Sequence, residues 1–312
     1  MLYRLFKLGL FCILFSCTWA YAQEAPLYSQ YFSNPYLYNP SFAGTDGYPV
    51  LFLTHRRQWA GIEGAPTAYA LSYHSPVSKV LAIGAHIRTE SRGVLRSSLA
   101  MGSLAYVAHF SEKHFLRMGL SAGVSHHTAD FTEATEAQQP YLANWASKAL
   151  RFEAAFGINY HLKNLNLGLA LPYLTEQKVL GSETQGMFTF SPLDQWVATA
   201  SYFAELAPDK LALEPLLVVQ KVGEQKTRLE AGTVLYMNKA LWAGATYRHQ
   251  YGITALAGVN IKPGISFGYA YEMAHAYTGS WLQSTHELQL KFKLGAEKEY
   301  GKEVQHKPRF EM

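Results

Sequence analysis

The sequence has 312 residues, of which 49% are hydrophobic, 14% aromatic and only 16% charged, with a formal net charge of +4. This composition excludes an intrinsically disordered chain, because the apolar content is high enough to build a packed fold. The weak net charge argues against a nucleic-acid-binding protein, which needs a marked excess of Lys and Arg to hold phosphates.

The first 22 residues have the features of a secretory signal peptide. A short basic start is followed by the apolar run 8–15, and Ala20-Tyr21-Ala22 provides an A-x-A cleavage site before Gln23. Residues 14–17, Leu-Phe-Ser-Cys, loosely resemble a lipobox. Lipoprotein processing at Cys17 is therefore the alternative, although the A-x-A site is the better match.

Both cysteines of the chain, Cys12 and Cys17, lie inside this export signal. An exported chain cleaved after Ala22 therefore contains no cysteine. Disulfides, thiol catalysis and cysteine metal sites are excluded for it.

The segment 23–49 is predicted to be neither strand nor helix, because Pro35 and Pro40 interrupt both kinds of element. It is rich in Tyr and Phe, and so many aromatic side chains would be costly to leave in water. We expect the segment to pack against the rest of the fold, either as a plug inside a barrel lumen or against its periplasmic rim.

From residue 50 onward, apolar residues recur at every second position, which is the period of a β-strand. For example, Leu116, Met118 and Leu120 alternate with Arg117 and Gly119. Several predicted strands reach about ten residues, the length at which a tilted strand crosses a bilayer. The pattern predicts fourteen strands, at 50–56, 67–75, 80–90, 96–110, 114–127, 149–162, 164–171, 193–206, 210–221, 226–237, 240–249, 251–261, 264–273 and 284–294.

The links between these strands are alternately short and long. Short links such as 76–79, 111–113 and 238–239 contrast with the long links 128–148 and 172–192. Tight turns at one end and long loops at the other are typical of an outer-membrane β-barrel, with the turns on the periplasmic side. The sequence thus predicts an all-β fold, a transmembrane antiparallel barrel of about 14 strands in the cell outer membrane.

A secreted soluble β-sandwich or lipocalin-like barrel is the alternative, because it would also show alternation. The weaker faces of the strands are, however, rich in Gly, Ala and Ser, as expected inside a closed lumen. Aromatic residues also fall near strand ends, where membrane barrels carry interfacial girdles. These residues are Trp59, Tyr106, Phe110, Tyr160, Tyr202, Trp242, Tyr247 and Trp281.

Charges of both signs are predicted on the lumen face. They either pair with one another and fill the barrel, or form the selectivity lining of a pore. The near balance of signs favours pairing. The residues are Arg88, Arg117, Arg151, Glu153, Arg228, Glu230, Arg248 and Glu272.

The sequence contains no convincing catalytic, cofactor-binding or metal-binding motif. His286-Glu287 lacks the second His of a zinc-protease H-E-x-x-H, and its two side chains would point to opposite faces of a strand. His126-His127 fails for the same reason. We therefore predict a non-enzymatic protein without cofactors, with an outer-membrane hydrolase as the weaker alternative.

Two blocks near the start carry a family resemblance. Residues 26–44, PLYSQYFSNPYLYNPSFAG, and residues 57–67, RQWAGIEGAPT, closely resemble the opening of the PorP/SprF family of type IX secretion system membrane proteins. In that family an Arg leads the second block by one more position, which points to Arg56 here. Shorter matches are SYHSP at 72–76, LGLALP at 167–172, WAGATYR at 242–248, GYAYE at 268–272 and THEL at 285–288.

The resemblance implies an outer-membrane component of type IX protein secretion, or of gliding motility with display of a surface adhesin. The implied partners are the periplasmic ring lipoprotein and its associated proteins, or one secreted adhesin. A porin-like channel for small solutes is the alternative function. The expected organisation is a signal peptide at 1–22, the Pro/Tyr-rich segment at 23–49, the barrel at 50–294 and a charged periplasmic tail at 295–312.

Overall fold

The computed structural model describes residues 28–132, 150–174, 195–222, 227–249, 251–262, 264–273 and 284–295. The predicted signal peptide and nearly all of the charged tail, like most of the long links, lie outside these residues. Within the described part, no helix is both long enough and apolar enough to cross a membrane.

The described chain is dominated by antiparallel β-strands whose period-two pattern places one apolar face outward. Two short 3-10 turns, Pro35–Leu37 and Pro40–Phe42, precede them. The strands are β1 (Val50–Arg57), β2 (Thr67–Pro76), β3 (Leu81–Arg92), β4 (Leu95–Ser111), β5 (His114–Ala129), β6 (Leu150–Leu162), β7 (Leu165–Leu171), β8 (Gln195–Tyr202), β9 (Ala204–Ala207), β10 (Leu211–Val222), β11 (Arg228–Met237), β12 (Leu241–Arg248), β13 (Gly252–Lys262), β14 (Ile265–Glu272) and β15 (Thr285–Lys293).

The strands close into a barrel with fourteen strand positions. Each strand pairs with its neighbours in chain order, and β1 pairs with both β2 and β15, so that Val50 lies opposite His74 on one side and Lys293 on the other. Segments β8 and β9 share one position, because both pair with β10. The predicted membrane-barrel fold and its strand number are confirmed, and nearly all predicted strand ends lie within two residues of the observed ones.

The strand predicted at 193–206 is interrupted at Phe203. The backbone N–H of Phe203 donates to the carbonyl of Asn164, 2.9 Å away, in the register of the β7–β8 pair. Its ring turns into the barrel, where it is buried and packs against Tyr236. A register shift in the pairing of β9 with β10 lies further along, where Glu205 is opposite Ala212 and Ala207 is opposite Leu211. Phe203 itself faces inward by the ordinary alternation of a strand, as Val197 does.

The two faces of the wall differ as the alternation predicts. Leu120 and Ile83 are 56% and 44% exposed on the outer face, whereas Arg117 and Ser121 are 0% and 2% exposed on the inner face. An apolar exterior around a polar interior is the arrangement of a membrane barrel and the reverse of a soluble one. The outer face is thus the lipid-contacting surface.

The predicted aromatic girdle is wrong at Trp242. Tyr106, Phe110, Tyr202 and Tyr247 are exposed on the outer face, but Trp242 points into the lumen and is only 8% exposed. Small wall residues make room for its indole, since a Cβ on Gly258 would lie 2.1 Å from the ring. Trp281 lies outside the described residues.

Candidate functional site in the barrel lumen

The lumen is occupied by the N-terminal segment of the chain itself. Residues 28–49, called the plug segment below, run through the barrel before β1 begins, and Tyr28, Ser29 and Gln30 are each at most 2% exposed. Val50 lies at the end of the barrel that carries the tight turns, the short-turn end. Ser29 lies beside Arg56, near the opposite end of β1. The plug segment therefore crosses much of the barrel height and does not lie on the periplasmic rim.

One carboxylate holds the start of the plug segment in place. Glu287, on β15, accepts hydrogen bonds from the backbone N–H groups of Ser29 and Gln30, at 2.7 and 2.9 Å. Arg56 on β1 donates to the hydroxyl of Ser29 at 2.8 Å and pairs with Glu287 at 3.3 Å. Charge-assisted bonds of this kind are about twice as strong as neutral ones. The segment is thus attached to the two strands that close the barrel.

The same charges continue across the lumen as a network. Glu272 accepts from Arg56 at 3.1 Å and from Arg248 at 3.2 Å, and Arg248 also pairs with Glu230 at 2.8 Å. Four of these five ionic side chains, Glu287 included, are nearly fully buried, and Glu272 is 13% exposed. A buried charge is tolerated only with partners, and each of these has at least one. The pairing interpretation of the lumen charges therefore holds for Glu230, Arg248 and Glu272.

Bare glycines in the wall make room for the middle of the plug segment. A Cβ on Gly119 would lie 2.3 Å from the carbonyl carbon of Pro40, and one on Gly157 would lie 2.0 Å from the Asn39 side-chain oxygen. Neither distance can accommodate a real carbon atom. Asn39 in turn donates to the carbonyl of Ile158 at 3.1 Å. Plug and wall are thus in direct contact at these positions.

Aromatic and amide side chains of the plug segment also bond to the wall. The hydroxyl of Tyr36 lies 2.8 Å from that of Ser103, and Asn34 donates to Ser72 at 2.9 Å. Burial raises the pKa of Tyr36 to about 12. It also raises the pKa values of Tyr31 and Tyr38 well above their ordinary range. These phenols therefore stay neutral at physiological pH.

A second ionic anchor lies at the short-turn end. Asp46 pairs with Lys291 at 2.6 Å and contacts the Nε2 atom of His74 at 3.5 Å. The backbone N–H of Gly44 donates to Nδ1 of the same imidazole, at 3.1 Å. Since Nδ1 accepts, the proton of the neutral ring is on Nε2, facing Asp46. The plug segment is thus fixed by charges at both ends.

Sequence reasoning found several of the lumen charges but did not predict the two ionic anchors of the plug segment, Arg56 with Glu287 and Asp46 with Lys291. Arg56 stood out only within a family motif, and Glu287 only within a family match and an incomplete zinc motif. The inward alternation of Phe52, Thr54 and Arg56 along β1 was the available signal. Among the described residues, no three His, Asp or Glu side chains cluster in a way that could hold a metal ion.

The chain was compared with known protein sequences and with solved structures. A comparison with curated protein sequences gave no match. Among solved structures, the chain is similar to the Acinetobacter baumannii outer membrane protein Omp33, at 10% identity and a TM-score of 0.49, over 80% of this chain and 100% of that one. It is also similar to the P. putida toluene transporter TodX, at 11% identity and a TM-score of 0.46, over 83% and 91% of the two chains.

The family comparison is decisive because it spans nearly the whole chain. The profile of the type IX secretion system membrane protein PorP/SprF matches residues 20–292. This range includes the plug segment, both of its ionic anchors and every strand except the last residue of β15. The chain therefore belongs to the PorP/SprF family and is an outer-membrane component of type IX secretion.

Proposed function

We propose that this protein is a non-enzymatic, plugged barrel that anchors or assists secreted cargo at the outer membrane, so that an adhesin can be displayed on the cell surface. The observation that carries the proposal is the plug segment, which is bonded to the wall at Glu287 and again at Asp46. A lumen filled in this way is poorly suited to pass solutes. The barrel then serves as a rigid membrane-embedded support for other proteins.

The proposed partners follow from the family. They are the periplasmic ring lipoprotein of the secretion machine with its associated proteins, or one secreted adhesin. Both classes share the requirement that the barrel be held firmly in the membrane, which its apolar outer face supplies. Affinity purification of the native protein from outer membranes, followed by identification of the co-purifying proteins, distinguishes these two partner classes.

Conductance separates the anchoring function from the porin alternative. In planar bilayers the intact protein should show no large, steady open channel. A variant that lacks residues 28–43 should conduct, because the deletion removes the segment that fills the lumen. A steady channel in the intact protein would instead favour a porin.

Secretion measures the function directly. Cells without the gene should fail to display the cargo on their surface, and the intact gene should restore display. Restoration by an unrelated porin of similar size serves as the control and should fail. Normal display in cells without the gene would contradict the proposed function.

A further inference from the structure

Five of the six tight turns at the short-turn end contain a lysine, and the sixth directly follows Lys262, the last residue of β13. The turns follow β2, β4, β6, β9, β11 and β13. These six lysines, called the lysine ring below, are Lys79, Lys113, Lys163, Lys210, Lys239 and Lys262. Because consecutive turns of a closed barrel are spaced around its circumference, these positions surround the whole rim.

Among the described residues, lysine is concentrated at this end. Nine lysines lie in the described part of the chain, and eight of them are at the short-turn end. Six form the lysine ring, and Lys291 and Lys293 end the last strand. Of the described lysines, only Lys221 lies toward the opposite end, where the other described cations are arginines such as Arg57 and Arg96. The links of that end, outside the described residues, contain Lys148, Lys178 and Lys226.

The ring holds like charges side by side. The backbone N–H of Lys163 donates to the carbonyl of Lys113 at 2.7 Å, and both side chains are exposed. The turns contain Glu112 and Asp209, and Asp209 pairs with Lys239 at 2.6 Å. Glu205 on β9 adds a third carboxylate, which accepts from the backbone N–H of Asp209 at 3.3 Å. The six lysines outnumber these three carboxylates, which leaves an excess of positive charge that an anion would stabilise.

Turn geometry does not explain the lysines. Lys163 and Lys239 have φ values of 55° and 56°, in the left-handed region that Gly, Asn and Asp adopt more readily. Lysine therefore occupies these positions despite a conformational cost. Unlike Gly, Asn or Asp, lysine brings a positive charge on a long, flexible side chain.

The lysine ring lies directly at the border of the lipid-facing surface. Leu162 and Ile261, which immediately precede ring residues, are 38% and 55% exposed on the barrel exterior, and Phe110 is 61% exposed three residues before Lys113. Since Leu162 and Phe110 end the apolar belt, Lys113 and Lys163 follow it at the level where lipid headgroups are expected.

We propose that the lysine ring binds the phosphate groups of anionic phospholipids in the periplasmic leaflet of the outer membrane. Lipid fits the arrangement better than a protein partner does, because the charges surround the circumference and each turn adjoins lipid-facing residues. A protein partner is expected instead to contact a charged patch on one side. Each lysine near an anionic surface favours binding by about fivefold.

The test measures lipid selectivity around the folded barrel. The protein without its export signal is placed in nanodiscs that contain phosphatidylcholine and phosphatidylglycerol, and spin-labelled lipids report which headgroup contacts it. The test variant combines Lys113→Gln, Lys163→Gln and Lys210→Gln. The matched control combines Arg57→Gln, Arg96→Gln and Lys221→Gln, which removes the same charge from the opposite end.

We expect the native protein to prefer the anionic lipid by at least about fivefold, as one lysine would give. The control variant should keep this preference and the test variant should lose most of it. Equal preference in the two variants, or no preference in the native protein, overturns the proposal. If the test variant does not fold, the lipid preference of the native protein is measured at about 1 M salt instead. A preference that depends on charge must disappear under this condition, and one that persists overturns the proposal.

Discussion

Ser29 and Glu287 are joined by a 2.7 Å hydrogen bond although 258 residues separate them in the chain. Glu287 lies on β15, the strand whose pairing with β1 closes the barrel. The seating of the plug segment and the closure of the wall therefore depend on the same strand. A change that weakens one of them is expected to weaken the other.

The first prediction concerns this carboxylate. In Glu287→Gln, one of the two oxygens becomes an NH₂ donor that faces a backbone N–H, and Arg56 loses one of its two carboxylate partners. We expect a loss of about 2 kcal/mol in the free energy of unfolding. Urea titration in lipid vesicles, followed by tryptophan fluorescence, measures it.

Glu63→Gln is the matched control, because Glu63 is exposed in the link after β1. This change should alter the free energy of unfolding by less than about 0.5 kcal/mol. If the two variants unfold at the same urea concentration, Glu287 does not hold the plug segment in the way its contacts indicate.

The strands could be predicted because their information is local. Alternation along β5, with Leu116 outward and Arg117 inward, is visible in any short window of sequence. Tight turns such as Asn238-Lys239 are equally local. Both signals report the same barrel, which explains the close agreement in strand number and position.

The filling of the lumen could not be predicted in the same way. Nothing near Ser29 in the chain indicates that its partner is Glu287, and the Pro-rich segment has no period that could place it inside the barrel. Trp242 was misplaced for a related reason. Its inward position depends on the space left by Gly258, a neighbour on the next strand.

The second prediction concerns alkaline pH. Burial raises the pKa of Tyr36 to about 12, from an ordinary value of about 10. A raised pKa means that the stability from the neutral phenol is fully present below pH 10. It is lost as the pH rises toward 12, at about 1.4 kcal/mol per pH unit for one group. We therefore expect the folded, heat-modifiable form on gels to decrease steeply in this pH window.

Tyr36→Phe isolates the contribution of this phenol. The variant should be about 1 kcal/mol less stable at neutral pH, because it loses the hydrogen bond to Ser103. Its stability should fall less between pH 10 and 12 than that of the unchanged protein. Parallel alkaline profiles for the two proteins would show that Tyr36 ionises without leaving its buried position.

The third prediction concerns orientation in the membrane. With the tight turns in the periplasm, a cysteine placed at Glu63 should react with a membrane-impermeant maleimide in intact cells, and one at Lys163 should not. Sites at Ala143 and Thr184, in the long links outside the described residues, should also react. Both natural cysteines lie in the first 22 residues, so a chain cleaved after the predicted site at Ala22 has no cysteine of its own to react. Labelling of a cysteine at position 163 alone would show that the barrel has the opposite orientation in the membrane.

The fourth prediction compares two wall glycines. In Gly119→Ala the new Cβ would lie 2.3 Å from a backbone atom of Pro40, which a side-chain rotation cannot relieve. The plug segment must shift, and we expect a loss of about 2 kcal/mol in the free energy of unfolding, within the range for overpacked sites. A raised conductance in planar bilayers should accompany it as the lumen opens.

Gly102→Ala is the control for this change, because a Cβ at Gly102 on the neighbouring strand β4 would meet nothing within 4 Å. The same extra methyl group should leave the barrel closed and equally stable or slightly more stable, since Ala loses less conformational freedom than Gly on folding. The pair therefore separates contact with the plug segment from any general effect of replacing a strand glycine. Equal stability and equal, low conductance in both variants would mean that the plug segment does not press against the wall at Gly119.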